Sequence, residues 1–229
     1  MERDGWKMII EFNGLAGTGK TTIARLLGSR LSEQGYKVCY TYPIRESRIK
    51  RYCAYIADGS LCLWFLGIQF VVWGIRPICV ERYRYISNLI SYFRMYRSFN
   101  QKRPDEVLII DQGIIQGLAS IVHMDRIVDE KALDGIFSYL KKKGVEIYSI
   151  ECKNDPVLSH KRIRARNSTG GRWERYGDEE MKRGMVQQTE TFDAIRRRSH
   201  SEFAKKHISV DTQLLPEQNI QEIIGFVKL

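Results

Sequence analysis

Eight residues, Gly14-Leu15-Ala16-Gly17-Thr18-Gly19-Lys20-Thr21, fit the phosphate-binding pattern G-x-x-x-x-G-K-[ST] at every fixed position. Glycines at these places let successive backbone N–H groups turn inward around a polyphosphate. The lysine can reach the β- and γ-phosphates, and the hydroxyl after it can ligate Mg²⁺. The expected nucleotide contacts are therefore Gly14, Ala16, Gly17, Thr18, Gly19, Lys20, Thr21 and Thr22. A second carboxylate-bearing position follows the apolar run Val107-Leu108-Ile109-Ile110. Asp111 ends that run, where a parallel strand buried on both faces would deliver it to the metal beside the loop. Thr21 and Asp111 are the expected Mg²⁺ ligands, directly or through water.

A third group is cationic. Arg162 and Arg166 are four residues apart and share one helix face. They lead into Asn167-Ser168-Thr169-Gly170-Gly171, a hinge-like stretch, with Arg172 and Arg175 beyond it. Arginines beside a glycine hinge suit a lid, over roughly residues 160–178, that closes on a transferring phosphoryl group and excludes water.

The elements around these residues alternate between strand and helix. Lys7 to Phe12 reads as a strand leading into the loop, and Thr21 to Gln34 as the helix leaving it, stopped at Gly35. Tyr36 to Tyr42 predicts a second strand, Val107 to Ile110 a third, Val145 to Cys152 a fourth and His207 to Asp211 a fifth. Asp129 to Lys143 and Pro216 to Val227 carry apolar residues at helical spacing. The expectation is one domain over residues 1–229, a three-layer α/β/α fold on a five-stranded parallel sheet. Residues 44–105 form a helical insertion between the second and third strands.

Composition narrows the class. A chain of 229 residues with 43% hydrophobic content can build one substantial core. The net charge of +10 suits polyanionic partners. It is concentrated in residues 44–103, which carry a net +8, and residues 160–206, which carry +6. The core is thus not basic, whereas the segments able to cover its ligand edge are. Five cysteines form no C-x-x-C pair, and the start Met1-Glu2-Arg3-Asp4 lacks a secretory pattern, so a reduced, cytoplasmic protein is expected. Cys39 and Cys152 fall in apolar strand patterns, as small buried hydrophobes do. The four histidines are scattered and suggest no zinc site. Leu61 to Ile75 is nearly all apolar, but fifteen helical residues reach only about 22 Å, short of the ~30 Å hydrocarbon core. A core helix or partner face is the expectation, with membrane or nucleic-acid contact kept open. A homodimer is also compatible with this pattern.

Together these residues resemble the thymidylate kinase-like branch of the nucleoside monophosphate kinases. The resemblance rests on the Gly14–Thr21 loop, on Tyr40-Thr41-Tyr42-Pro43-Ile44-Arg45 at the end of strand two, and on Ile150 to Arg166 with its Asp155-Pro156 turn. Ile208-Ser209-Val210-Asp211 and the amphipathic helix after it also fit, so that most of residues 7–43 and 106–229 are covered. It implies a P-loop NTPase fold and MgATP-dependent phosphorylation, with Lys20, Arg162 and Arg166 catalytic and Arg45 at the acceptor. Two departures concern the acceptor. The Asp of strand three is followed by Gln112-Gly113 instead of Arg, and no E-P-G-G-T signature follows strand two. The acceptor is thus open among nucleotides, nucleosides and other alcohols.

Within the insertion, aromatic and guanidinium groups interleave from Arg82 to Arg97. They suit base stacking with phosphate clamping, or equally a helix with core aromatics and solvated arginines. Glu46 and Glu81 are candidate general bases, and Arg196-Arg197-Arg198 reads as a surface charge run. The alternative to a kinase is an ATP-binding regulator or ATPase, whose basic insertion binds protein, nucleic acid or membrane.

Overall fold

The computed structural model describes residues 8–40, 106–125, 130–142, 145–166, 173–202 and 204–228, with helical residues at 88–89, 91–93, 95–96 and 99. Arg45, Glu46, Glu81, most of the basic insertion and the apolar run at 61–75 lie outside the described residues.

Five parallel strands form one sheet in the order β2-β3-β1-β4-β5. They are β1 (Met8–Asn13), β2 (Lys37–Tyr40), β3 (Glu106–Ile110), β4 (Ile147–Lys153) and β5 (Ala204–Asp211). All six residues of β1 are buried, as a central parallel strand covered on both faces requires. The helices are α1 (Lys20–Glu33), α2 (Ile114–Asp125), α3 (Glu130–Lys142), α4 (Pro156–Ala165), α5 (Asp178–Glu202) and α6 (Pro216–Val227). Ile10, Phe12, Val107 and Ile109 face one layer and pack with Leu27 and Leu31 of α1 and Ile223 of α6. Ile9, Leu108 and Ile110 face the other layer, built from α2, α3, α5 and the helical residues at 88–99. This is the three-layer α/β/α architecture and five-stranded parallel sheet expected from the sequence.

The chain leaves β1 toward β3 and β2 on one side, and toward β4 and β5 on the other. The order reverses at β1, so the loop after β1 opens into the crevice where open α/β sheets hold ligands. Two elements had weaker sequence signals. Helix α2 lies in the unassigned stretch after Asp111. Helix α5, of 25 residues, runs on from the expected lid to the last strand.

Two sequence expectations need correction. Arg196 is not a surface residue. It is 5% exposed and pairs with Glu151 at the end of β4 and with Asp193. Burying a guanidinium requires such partners, because an unpaired charge in the interior is very costly. Arg198 also pairs, with both carboxylate oxygens of Asp134 on α3. Cys152 is buried as expected, but Cys39 is only half-buried and its thiol donates to Glu106 Oε2 at 3.1 Å. Of the two readings left open for the aromatic and guanidinium stretch, the one with core aromatics holds for Tyr92, Phe93 and Tyr96, all of them buried.

Candidate phosphate-binding site

The loop between β1 and α1 is shaped by its glycines and by what presses on it. Gly14, Gly17 and Gly19 have φ of 137°, 82° and 87°, all disfavoured for a residue with a side chain. At Gly17 there is also no space: a Cβ would stand 2.6 Å from the Ser159 carbonyl oxygen of α4. Helix α4 therefore rests directly on the loop. Its start is set by Asp155, which accepts from the Val157 amide at 2.8 Å, and by Pro156 in the first turn.

No side chain caps α1, whose N-cap is Gly19. Its first amides and positive dipole end thus face the loop, which is the arrangement that attracts phosphate. Lys20 Nζ donates to the carbonyls of Gly14 at 2.9 Å and Leu15 at 2.6 Å, and lies 3.4 Å from Thr18 Oγ1. Burial pulls the Lys20 ammonium down to about 8, with Asp111 opposing that shift and Arg166 adding to it. Thr21 Oγ1 donates to Asp111 Oδ2 at 2.8 Å. The hydroxyl after the lysine and the carboxylate at the end of β3 are thus within one hydrogen bond, although ninety positions separate them. A hydroxyl and a carboxylate in contact beside a phosphate cradle form an oxygen donor pair of the kind that suits Mg²⁺.

Arg162 lies beside the loop. Its Nη2 donates to the Thr212 carbonyl at 3.3 Å, and its Nη1 is 3.9 Å from where a Cβ on Gly19 would stand. Arg166 is exposed at the C-cap of α4, and its charge reaches Lys20. Arg164, between them, does other work. It donates to the Tyr176 carbonyl at 2.6 Å and to Asp178 at 2.9 Å, fastening α4 to the start of α5. Hydrogen bonds from Arg164 and His160 hold the Asp178 carboxyl below its ordinary range. Beneath this clamp, Ile163, Trp173, Met181 and Met185 form a small apolar cluster that also touches Ala16 of the loop. Thr18 is buried and Thr22 is exposed; the Thr22 amide donates to the Gly19 carbonyl at 3.0 Å as part of the first helical turn.

A cavity of about 410 Å³ adjoins the loop, lined by Leu15, Thr18, Asn154, Arg196, Asp211 and Gln213. A larger groove of about 680 Å³ lies away from the loop, between α1 and α6. Among the described residues no group of three or more His, Cys, Asp and Glu could hold a metal. None of the described helices is long and apolar enough to cross a membrane.

One charged residue escaped the sequence reading. Glu11 sits in β1 with 0% exposure, on the face toward α2. Its Oε1 accepts from the Ile115 amide at 2.7 Å and its Oε2 from the Tyr96 hydroxyl at 2.6 Å. Burial pushes its carboxyl up to about 7, against the lowering effect of Tyr96 and of the α2 amides. The signal was present in the sequence: an acid in an otherwise apolar strand, Met8-Ile9-Ile10-Glu11-Phe12.

A strand, a glycine loop carrying Lys20 and Thr21, a helix N-terminus and Asp111 at the end of a neighbouring strand define the P-loop class of α/β folds. Solved structures agree on the fold. The deoxyadenosine kinase from M. mycoides with bound dATP aligns over 97% of this chain and 100% of its own, with a TM-score of 0.55 and 15% identity. The same kinase with dCTP aligns over 96% and 99%, with a TM-score of 0.51 and 13% identity. Its complex with the products dCMP and a flexible dCDP gives the same TM-score, identity and coverage. No protein-family model and no curated protein matches the sequence.

Proposed function

We propose that this protein is an ATP-dependent phosphotransferase acting on a small-molecule acceptor, with nucleosides the first class to try. The carrying observation is the 2.8 Å contact between Thr21 and Asp111 beneath an uncapped helix N-terminus. That contact unites the phosphate loop with the end of β3, as transfer of a metal-bound phosphoryl group requires. The fold shared with deoxyadenosine kinases supports the reading. In it, the backbone of Gly14 to Gly19 and the α1 amides would cradle the triphosphate, and Thr21 and Asp111 would hold Mg²⁺. That ion would neutralise charge on the β- and γ-oxygens. Lys20 exchanges its carbonyl partners for phosphate oxygens. Arg162 and Arg166 meet the charge on the γ-phosphoryl from the α4 side, and α4 with the Trp173 cluster shields the loop from water. Arg45, which follows the second strand in the sequence, is assigned to the acceptor on the family resemblance alone. The activity belongs to a single cytoplasmic domain.

Exposed Gln112, where the resembling family carries Arg, favours one competing reading, in which ATP serves as a switch or is simply hydrolysed. ADP release measured with and without a panel of nucleosides, nucleotides and sugars separates the two. Release that requires an acceptor, and that falls sharply in Lys20→Ala and Asp111→Asn, supports the phosphotransferase. Release indifferent to every acceptor sinks it.

A further inference from the structure

Two helices, α1 and α2, begin at the carboxyl edge of the sheet beside the site, and the chain treats their N-termini in opposite ways. The first is left open. No side chain caps it, and Lys20 adds a cation to its amides. The second is filled from within. The Glu11 carboxylate accepts from the Ile115 amide, and the amides of Ile114 and Gln116 reinforce it. Tyr96 closes its other oxygen. The fit leaves no vacancy: a Cβ on Gly113 would stand 2.3 Å from Glu11 Cδ and 2.4 Å from the Tyr96 oxygen.

A free helix N-terminus next to Asp111 would be the natural seat for an acceptor phosphate. Here it already holds the Glu11 carboxyl, which is anionic above about pH 7. The residue that follows Asp111 at this edge is neutral, exposed Gln112. One helical turn further, Gln116 keeps a buried Oε1 that finds no partner among the described residues. Amide groups of this kind suit a hydroxyl better than a dianion. The cation whose charge is felt at Asp111 is Lys20 of the loop, and Arg162 and Arg166 belong to α4.

Building on the phosphotransferase reading, we propose that Glu11 is a specificity-determining residue of the acceptor site. It fills the N-terminus of α2 and sets negative charge beneath the acceptor, restricting it to neutral hydroxyl compounds of the nucleoside class and rejecting monophosphates. In the reaction, the acceptor hydroxyl oxygen bonds to the γ-phosphorus and the bond to the β–γ bridging oxygen breaks. ADP leaves with that electron pair, and the hydroxyl proton passes to solvent.

The test uses the full chain with MgATP at pH 8, where the Glu11 carboxyl is mostly ionised. Acceptors are the four deoxynucleosides and their four 5′-monophosphates, compared by kcat/KM. The wild type should favour the nucleosides. Glu11→Gln should narrow that preference about tenfold by improving the monophosphates, since a unit charge acting over about 10 Å at an effective dielectric near ~20 has roughly this effect. Gln112→Arg, at an exposed position that leaves the core untouched, should narrow it in the same direction and covers the case in which the buried variant fails to fold. A wild type that prefers monophosphates overturns the inference, as does an unchanged preference in a folded Glu11→Gln or in Gln112→Arg. Bound ATP with no transfer to any of the eight compounds would instead defeat the nucleoside kinase reading, and this inference with it.

Discussion

Glu11 should leave a pH signature on folding that needs no substrate to detect. Its carboxyl is raised from an ordinary 4.5 to about 7, chiefly by burial. The folded chain therefore keeps this proton to higher pH than the unfolded chain does. Stability from this group is fully present below about 4.5, declines as pH rises and is lost above about 7. At 1.36 kcal/mol per tenfold, the interval from 4.5 to about 7 corresponds to about 3 kcal/mol. His207 works in the opposite sense over part of the same range. Burial and the nearby Arg196 and Lys153 charges hold its imidazole down to about 4, so its contribution disappears as pH falls from 6.5. A single stability curve would mix the two. Glu11→Gln separates them, because it keeps the shape and the His207 environment while removing the carboxyl titration. Urea unfolding of both proteins at pH 5, 6, 7 and 8 gives the difference. The variant should gain on the wild type by about 2–3 kcal/mol across that series, with most of the gain before pH 7. Two curves that run parallel would refute the reasoning, since they would mean that the Glu11 carboxyl titrates alike in the folded and unfolded chains.

Burial also lowers the Lys20 ammonium to about 8, and a bound triphosphate must raise it again; ATP binding at pH 8.5 should take up roughly half a proton or more. Calorimetry in two buffers of different ionisation enthalpy measures that uptake, which should vanish in Lys20→Met. Gly113→Ala should cost on the order of 1–3 kcal/mol in urea unfolding, because its methyl group must displace a hydrogen-bonded carboxylate and phenol. Arg162→Ala and Arg166→Ala should each slow phosphoryl transfer about a hundredfold with little change in ATP affinity, as expected of contacts made in the transition state. Steady-state kinetics with a nucleoside acceptor checks this, and wild-type rates in both would reduce the two residues to a solvated helix face. Arg164→Ala should instead loosen the α4–α5 junction, read as faster hydrogen exchange over residues 173–185; unchanged exchange would mean that Trp173 and its neighbours hold the junction alone.

Much of the site was legible in local pattern. The turn between β1 and α1 needs consecutive residues of particular conformational freedom, so Gly14 to Thr21 declared its backbone shape outright. Asp111 was legible too, because a buried parallel strand reads as an apolar run and delivers its last residue to the sheet edge. Asp155-Pro156 announced the start of α4, and the final helix appeared at its own bounds, Pro216 to Val227. What local pattern could not decide was the partner of each charge. Arg162, Arg164 and Arg166 look alike in sequence, yet one reaches Thr212, one binds Tyr176 and Asp178, and one stays in solvent. Arg196 sits in a run of three arginines and is nevertheless buried against Glu151. Glu11 owes its place to an amide from residue 115 and a hydroxyl from residue 96. Backbone conformation and hydrophobic spacing act over a few residues, so the sequence carries them directly. The fate of a charge depends on which distant groups share its volume and on how much water they exclude, and only the packed tertiary structure decides that.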